Sequence, residues 1–301
     1  DNILADSKIS GLGDLEKIVK EKEALAAVNG GFYQSNGRPL GLFINDSKII
    51  SESIYGRAAL AQTNKGKFLI DRVNWEGMLR NKNNDQEITI NKVNEKADKG
   101  EIAIYNNFYG KKAPLLEPEM TELVINNGEI VSKINSITII KNEIPENGFI
   151  IQAKGEQDFS GFKVGDNVEF INHFNNSEWN KSKIVKAIGG GPLLVENGEI
   201  NITGKEGKFQ NDILWGRAPR TAVGITEDEK LVFFTIDGRQ PELSVGIALE
   251  ELAHFMKEYG IKKGMNLDGG ASSRMVVRGY TMSNPSSERL LSNGIIFYKI
   301  K

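Results

Sequence analysis

The residues best suited to chemistry lie in a short polar stretch, "LDGGASSRMVV", at residues 267–277. It holds the carboxylate of Asp268, two glycines, two serines and Arg274. The N–H groups of a glycine turn, together with hydroxyls and a guanidinium, can bind an anion. The same residues also describe an ordinary turn in which serines bond to local backbone. This stretch alone leaves both interpretations open.

A second polar side chain precedes it in "MNLDGG" (265–270). Asn266 and Asp268 are two residues apart on an expected strand, so both point to one side while Leu267 points into the core. Gly269 and Gly270 then allow a sharp turn and a close approach of backbone to a ligand. Ser272 and Ser273 follow directly.

The stretch "RAPRTAVGITEDEKLVFFTIDGRQ" predicts a hairpin with strands at about 221–226 and 231–236. If it folds symmetrically about residues 227–230, Arg220 faces Asp237, and Arg239 shares the face of Asp237. A surface salt bridge at a hairpin end and a functional cation–carboxylate pair are both compatible with this pattern.

The stretch "NGGFY" (29–33) follows another expected strand. Asn29 can hydrogen-bond sugar hydroxyls, and Phe32 or Tyr33 can stack on a sugar face. A loop with core aromatics would look the same. The stretch "GGGP" (189–192) lacks the Gly-Lys-Ser/Thr of a nucleotide-binding loop, so no such site is predicted there.

The elements that must position these residues are mostly strands. Helices are predicted at 13–25 and at 247–259, and hydrophobic spacing assigns buried faces to Leu15, Ile18, Val19, Leu25, Leu249, Leu252, Phe255, Met256 and Tyr259. Strands in blocks favour an α+β fold with largely antiparallel or mixed sheets and a few helices. Residues 1–67 and 188–301 would form a discontinuous core, and 68–187 a β-rich insertion or subdomain.

Composition and charge exclude several classes of function and of metal site. The net charge of −2 over 301 residues provides no basic field for nucleic acid. No apolar run reaches the roughly 20 residues of a membrane helix. The chain has no cysteine and two histidines, so thiolate and multi-histidine metal sites are excluded. A start at Asp1 rather than methionine suggests a processed or excised chain.

Five ordered motifs, "AAVNGGFY", "AIGGGPLLVENGEI", "RAPRTAVGI", "DGRQPELSVGIALEELA" and "MNLDGGASSRMVV", resemble the phosphodiester glycosidase family. The resemblance spans about residues 12–300, and the 68–187 block resembles bacterial cell-envelope members. The chain departs from the family's frequent third glycine and threonine at Ala271 and Arg274. Arg274 therefore either adds a phosphate contact or fills space.

The resemblance implies hydrolysis of the glycosidic C–O bond of a sugar 1-phosphodiester, for example an N-acetylglucosamine 1-phosphodiester of cell-envelope glycan. It also implies an extracytoplasmic location and a reaction that requires no cofactor. Asp268, Asp237 and Arg220 would be catalytic. Substrate binding would fall to Asn29, Gly30, Gly31, Thr221, Arg239, Asn266, Gly269, Gly270, Ser272, Ser273 and Arg274.

Two other functions stay open on the residues. One is a phosphodiesterase that cuts P–O with Ca²⁺ or Mg²⁺ held by Asp237, Asp268 and asparagines. The other is a noncatalytic module that binds envelope polysaccharide.

Overall fold

The computed structural model describes residues 1–155, 157 and 159–299, which divide into two compact units. The first comprises 1–48, 53–74 and 181–301, and the second comprises 49–52 and 75–180. Strands take 42% of the chain and helices 11%. The fold is therefore mostly β with few helices, which is more strand-rich than the predicted α+β class.

Three antiparallel sheets build the first unit. The first sheet has the strand order Asn2–Leu4, Asn293–Phe297, Ala26–Asn29, Met275–Val277, Tyr280–Thr281. The second has the order Glu199–Ile200, Leu193–Glu196, Ile261–Asn266, Arg220–Thr226, Leu231–Ile236. The third contains the order Phe43–Asn45, Ile184–Gly189, Ala58–Thr63, Phe68–Arg72.

The helix Leu249–Glu258 covers the second sheet. Leu249, Leu252 and Met256 lie on its buried face, as the sequence predicts, and each stabilises the fold by about 1.5–3 kcal/mol. Phe255 and Tyr259 were also predicted to point inward, but they are 48% and 56% exposed. They pack edge-on against the ring of one strand residue, Phe234.

The N-terminal helix is shorter than its predicted span and covers Leu15–Glu21. Asp14 caps it by accepting a hydrogen bond from Lys17 N at 3.0 Å. Leu15 and Val19 are buried against the first sheet. Leu25 lies beyond the helix and is 40% exposed, so its place in the predicted stripe is wrong. The unit also contains the helix Asn211–Trp215 and the 3-10 turns Ala5–Ser7 and Gly270–Ser272.

The second unit has two sheets. One has the order Glu129–Asn135, Met120–Asn126, Gly148–Lys154, Ile102–Tyr105, Lys92–Val93, with its last pair parallel. The other has the order Val168–Phe174, Trp75–Asn81, Glu87–Ile90. Residues 49–51 of the strand Lys48–Ser51 and residues 177–180 of the short helix Ser177–Lys181 also belong to this unit.

The compact units and the predicted domains differ at their ends. The predicted insertion starts at residue 68 and ends at 187, whereas the strands Phe68–Arg72 and Ile184–Gly189 both pair with Ala58–Thr63 of the first unit. Whether 68–187 forms a domain of its own stays a prediction. Among the described residues, no helix is long and apolar enough to cross a membrane.

Candidate functional site

The candidate site forms where one strand from each sheet of the first unit ends. These strands are Ala26–Asn29, Ile261–Asn266 and Ile184–Gly189. Backbone hydrogen bonds join the segments that follow them. Asp268 N donates to Gly30 O at 3.1 Å, and Gly191 N donates to Asn266 O at 2.6 Å. The glycine motifs that are far apart in sequence therefore meet at one place.

Close backbone approach explains two of the glycines. A Cβ on Gly31 would lie 2.0 Å from Gly189 O, which no side chain can accommodate. Gly270 has φ +62 and sits under the guanidinium of Arg239, with Nη1 3.1 Å from where a Cβ would be. The "GGGP" stretch therefore borders the site, although no site residue was predicted in it. Its glycines at the end of a strand were the signal available.

Asn29 is fully engaged inside the protein. Its side chain is 1% exposed, and Nδ2 donates to Asp268 O at 2.7 Å. Its Oδ1 accepts from Thr221 Oγ1 at 2.7 Å and from Arg274 N at 3.0 Å. The predicted contact between Asn29 and sugar hydroxyls is therefore replaced by a positioning contact. Asn29 and Thr221 hold the segment 268–274 against two sheets.

Unlike Asn29, four other predicted residues carry buried polar atoms without a hydrogen-bond partner among the described residues. The buried atoms Asn266 Oδ1, Ser272 Oγ, Ser273 Oγ and Arg274 Nε have no hydrogen-bond partner within the described part of the chain. All four side chains belong to one segment of nine residues. Buried polar atoms normally have partners, and leaving one unpaired costs about 1–3 kcal/mol.

Arg274 is the most unusual of these residues. Its side chain is 6% exposed, yet within residues 1–155, 157 and 159–299 no hydrogen bond or ion pair involves its guanidinium. Its backbone is fixed, since Arg274 N donates to Asn29 Oδ1 and Arg274 O accepts from Asn29 N at 3.1 Å. A buried positive charge without a counter-charge is suited to binding an anion.

Asp268 supplies the carboxyl group of the site. Burial raises the pKa of Asp268 to about 6, against the opposing effects of the Ser272 hydroxyl, the charge of Arg289 and the N–H of Gly269. Gly269 N donates to Asp268 Oδ1 at 3.0 Å. Ser272 Oγ lies beside this carboxylate without a hydrogen bond of ordinary geometry. The carboxyl can therefore change its charge near neutral pH.

The predicted pairing of Arg220 with Asp237 is wrong. Arg220 lies opposite Ile236, one position away from the predicted register. Its guanidinium donates to backbone carbonyls, namely Ile213 O (2.9 Å), Gly216 O (2.6 Å) and Ile247 O (3.3 Å). Asp237 instead accepts from Asn284 N and Asn284 Nδ2, both at 2.8 Å. Asp237 thus anchors a loop.

Arg239 lies at the exposed edge of the site, over Gly270. Burial lowers the pKa of Arg220, and the nearby charge of Arg239 lowers it further. The two guanidinium groups are therefore close enough to repel one another. Together with Arg274, they make this edge of the unit favourable for negative charge.

Sequence reasoning singled out Tyr33 but missed Arg289, to which Tyr33 is hydrogen-bonded. The charge of Arg289 acts on Asp268, and Arg289 Nε donates to Tyr33 Oη at 2.8 Å. Tyr33 Oη donates in turn to Leu290 O at 2.9 Å, so Tyr33 orients the arginine. Arg289 lies in "SSERLLSN", where no local pattern distinguishes it from a solvated loop residue.

The described residues contain no group of three or more histidine, aspartate or glutamate side chains that could hold a metal ion. Asp237 and Asp268 serve different loops. The carboxylate donor set of the Ca²⁺ or Mg²⁺ alternative is therefore not assembled by these residues.

Comparisons with known proteins identify relatives of this chain. Residues 119–298 match the family model described as phosphodiester glycosidase. The chain is similar to N-acetylglucosamine-1-phosphodiester alpha-N-acetylglucosaminidase of Homo sapiens, at 33% identity over 119 residues, and of Mus musculus, at 32% over 115 residues. The matches cover 35% and 34% of this chain but 22% and 21% of those proteins.

Solved structures share the fold. A hypothetical protein from Synechocystis matches with a TM-score of 0.80 and 22% identity, over 97% of this chain and 55% of the other. A Burkholderia pseudomallei protein described as exported matches with a TM-score of 0.75 and 21% identity, over 99% and 71%. The catalytic domain of the zebrafish alpha-N-acetylglucosaminidase, auto-inhibited by its pro-peptide, matches with a TM-score of 0.52 and 18% identity, over 96% and 68%.

Proposed function

This chain belongs to the phosphodiester glycosidase family, and from that premise we propose that it hydrolyses the glycosidic C–O bond of a sugar 1-phosphodiester. The products would be a free sugar and a phosphomonoester. The curated relatives bearing the alpha-N-acetylglucosaminidase name support N-acetylglucosamine as the sugar. The chain spans about a fifth of their length, so sugar and aglycone are both part of the proposal.

One observation carries the proposal. A buried guanidinium without a described partner, Arg274, lies in the same nine-residue segment as Asp268, whose pKa is raised to about 6. An anion-binding group and a carboxyl near neutrality are the two components that cleavage next to a phosphate requires. The free oxygens of Asn266, Ser272 and Ser273 add the hydrogen-bonding groups that a polyhydroxylated sugar needs.

The proposed mechanism divides the site between the two halves of the substrate. Cleavage passes through an oxocarbenium-like transition state in which negative charge grows on the departing phosphate. Arg274 and Arg239 would stabilise that charge. The ionised Asp268 would stabilise or attack the anomeric carbon, or activate water, and Asn266 Oδ1 would accept a hydrogen bond from a sugar hydroxyl.

Arg220 and Asp237, the two other residues predicted to be catalytic, receive different roles in this proposal. Arg220 is saturated by backbone carbonyls, so we assign it the positioning of the helix Asn211–Trp215 and a contribution to the positive field. Asp237 would position the loop at Asn284 rather than act on the substrate. These assignments leave Asp268 as the single carboxyl proposed to take part in the reaction.

We further propose an extracytoplasmic location and a cell-envelope glycan as the substrate. The neighbouring Burkholderia pseudomallei protein described as exported supports the location. Residues 68–187, as a β-rich insertion, would belong to the envelope-associated form of the family.

Hydrolysis in ¹⁸O-labelled water tests the proposal. The purified chain is given an N-acetylglucosamine α-1-phosphodiester, and mass spectrometry locates the label. Label in the sugar is expected, because water then attacks the anomeric carbon. Label in the phosphate would establish P–O cleavage, which is the reaction of the phosphodiesterase alternative, and loss of activity with a chelator would then test its metal dependence. Binding without turnover, repeated over several sugar phosphodiesters, would establish the noncatalytic module.

A further inference from the structure

A second positively charged feature lies in the first unit, separate from Arg274. Arg57 Cζ lies 4.1 Å from the ring centroid of Phe209, 5.9 Å from that of Phe32 and 5.7 Å from that of Tyr55. Lys208 Nζ lies 4.6 Å from the ring of the same Tyr55. We call these five residues the cationic aromatic cluster.

The charges of this cluster have no counter-charge. Among the described residues, no carboxylate lies within ion-pair distance of Arg57 or Lys208. Arg57 Nε donates to Gly207 O at 2.9 Å and Nη2 donates to Lys208 O at 3.5 Å, both neutral acceptors. Burial lowers the pKa of Arg57, which means that the charged guanidinium is partly stripped of water.

The aromatic rings fix the guanidinium rather than neutralise it. Phe32 and Phe209 contact each other with a centroid distance of 5.7 Å, and Arg57 stacks on both. Cation–π contacts offset part of the lost hydration but leave the N–H edge of the group free for an anion. Nη1 has no hydrogen-bond partner within the described chain.

The cluster borders the candidate site. A Cβ on Gly191 would lie 2.9 Å from Phe209 Cζ, and Asn266 Nδ2 donates to Gly191 O at 3.0 Å. The cluster is therefore next to Asn266. Arg289, which acts on Asp268, belongs to a separate group with Tyr33.

We propose that the cationic aromatic cluster binds a second phosphate group of the substrate, located in the aglycone beyond the scissile phosphodiester. Arg57 and Lys208 bind the phosphate oxygens, and the exposed ring of Tyr55 covers the carbon chain that carries them. This assignment rests on the proposed glycosidase function. It makes the preferred substrate a sugar attached to an anionic, repeating phosphodiester rather than to a neutral alcohol.

Two synthetic substrates test the proposal. Both carry the same sugar 1-phosphodiester, one with a methyl aglycone and one with a 2-phosphoethyl aglycone. Arg57→Gln and Lys208→Gln should each raise KM for the 2-phosphoethyl substrate about tenfold more than for the methyl substrate, with similar kcat changes for both. Lys65→Gln, which removes an exposed charge elsewhere in the same unit, should change neither value. Equal KM changes for the two substrates would overturn the proposal.

A binding measurement separates this proposal from the proposed reaction. Glycerol 3-phosphate is titrated calorimetrically into the wild type, Arg57→Gln, Lys208→Gln, Arg274→Gln and Lys65→Gln at one ionic strength, with thermal unfolding as a check on folding. Binding that weakens about tenfold in Arg57→Gln and Lys208→Gln supports the subsite even if no sugar phosphodiester is turned over. Binding lost only in Arg274→Gln, or absent from the wild type, contradicts it.

Discussion

The two compact units both bury polar side chains, but they use them differently. In the second unit, Glu122 is 0% exposed and accepts from Asn142 Nδ2 and from Gln152 Nε2, the latter at 2.8 Å. In the first unit, the segment 266–274 contributes four of the six buried side-chain atoms without a partner among the described residues. The second unit contributes one, Gln152 Oε1.

This difference distinguishes buried polar groups that stabilise the fold from buried polar groups that are available to a ligand. A satisfied buried network rigidifies the sheet that contains it. An unsatisfied group costs stability, and it persists where the surroundings need it for another purpose. Unpaired atoms concentrated in one strand-end segment therefore indicate a ligand site more directly than the residue types do.

The largest expected effect is on catalysis by Asp268. Asp268→Asn should lower kcat by about 10³-fold, the range for removing a positioned acid–base or nucleophilic group. Because the ionised form acts in the proposed mechanism, kcat/KM of the wild type should rise as pH increases through about 6. Steady-state rates between pH 4.5 and 8.5 check both statements. A rate that falls through the same interval would instead make Asp268 the general acid.

The hydrogen bonds of Glu122 in the second unit should affect stability alone. Glu122→Ala leaves the amides of Asn142 and Gln152 without their carboxylate, so the free energy of unfolding should fall by about 3 kcal/mol. The kcat of the folded variant should stay at the wild-type value. Urea unfolding and activity below the transition measure the two quantities. The exposed Glu129→Ala is the control, with an expected change within about 0.5 kcal/mol.

Asp268 should also destabilise the fold at neutral pH. Its pKa rises from 3.8 to about 6 on folding, so the folded chain binds the extra proton between these values. The loss of unfolding free energy caused by Asp268 is absent below about pH 4 and grows between about pH 4 and 6. At higher pH it stays constant at about 3 kcal/mol at most. Asp268→Asn should therefore be more stable than the wild type at pH 8 and equal to it at pH 3.5. Urea unfolding at both values tests this, and a less stable variant at pH 8 would refute it.

The smallest expected effect compares two buried serines of the first unit. Ser292 Oγ donates to Gly37 O at 2.5 Å and accepts from Asn293 Nδ2 at 3.0 Å, whereas Ser273 Oγ has no partner within the described chain. Ser292→Ala should cost about 1 kcal/mol of unfolding free energy, and Ser273→Ala should cost none but should raise KM. Denaturant unfolding of both variants measures the free energies of unfolding, and steady-state kinetics measure KM. A Ser273→Ala variant that loses as much stability as Ser292→Ala would give Ser273 a structural role.

The sequence predicted the local elements around this site. The strand that contains Asn266, the turn at Gly269 and Gly270 and the helix behind the sheet follow from hydrophobic spacing and glycine placement, although the strand ends at Asn266 and does not extend to Asp268. The hairpin register was predicted wrongly. Ile225 pairs with Leu231 and Thr226 N donates to Lys230 O at 3.0 Å, so the turn is centred on Asp228 and the register is shifted by one residue from the predicted one. That single residue moves Arg220 away from Asp237, because register determines which side chains face one another.

Residue type and short spacing along the chain are enough to predict the family motifs, the strand-rich character and the segments that carry the polar residues. Tertiary packing determines which of those residues have hydrogen-bond partners among the described residues. Asn29 and Asn266 end strands in similar motifs, yet the first bonds to Asp268, Thr221 and Arg274, while Oδ1 of the second has no partner within the described residues. A hydrogen-bond partner 192 to 245 residues away leaves no local trace in the sequence, because only the packing of separate sheets brings the two groups together.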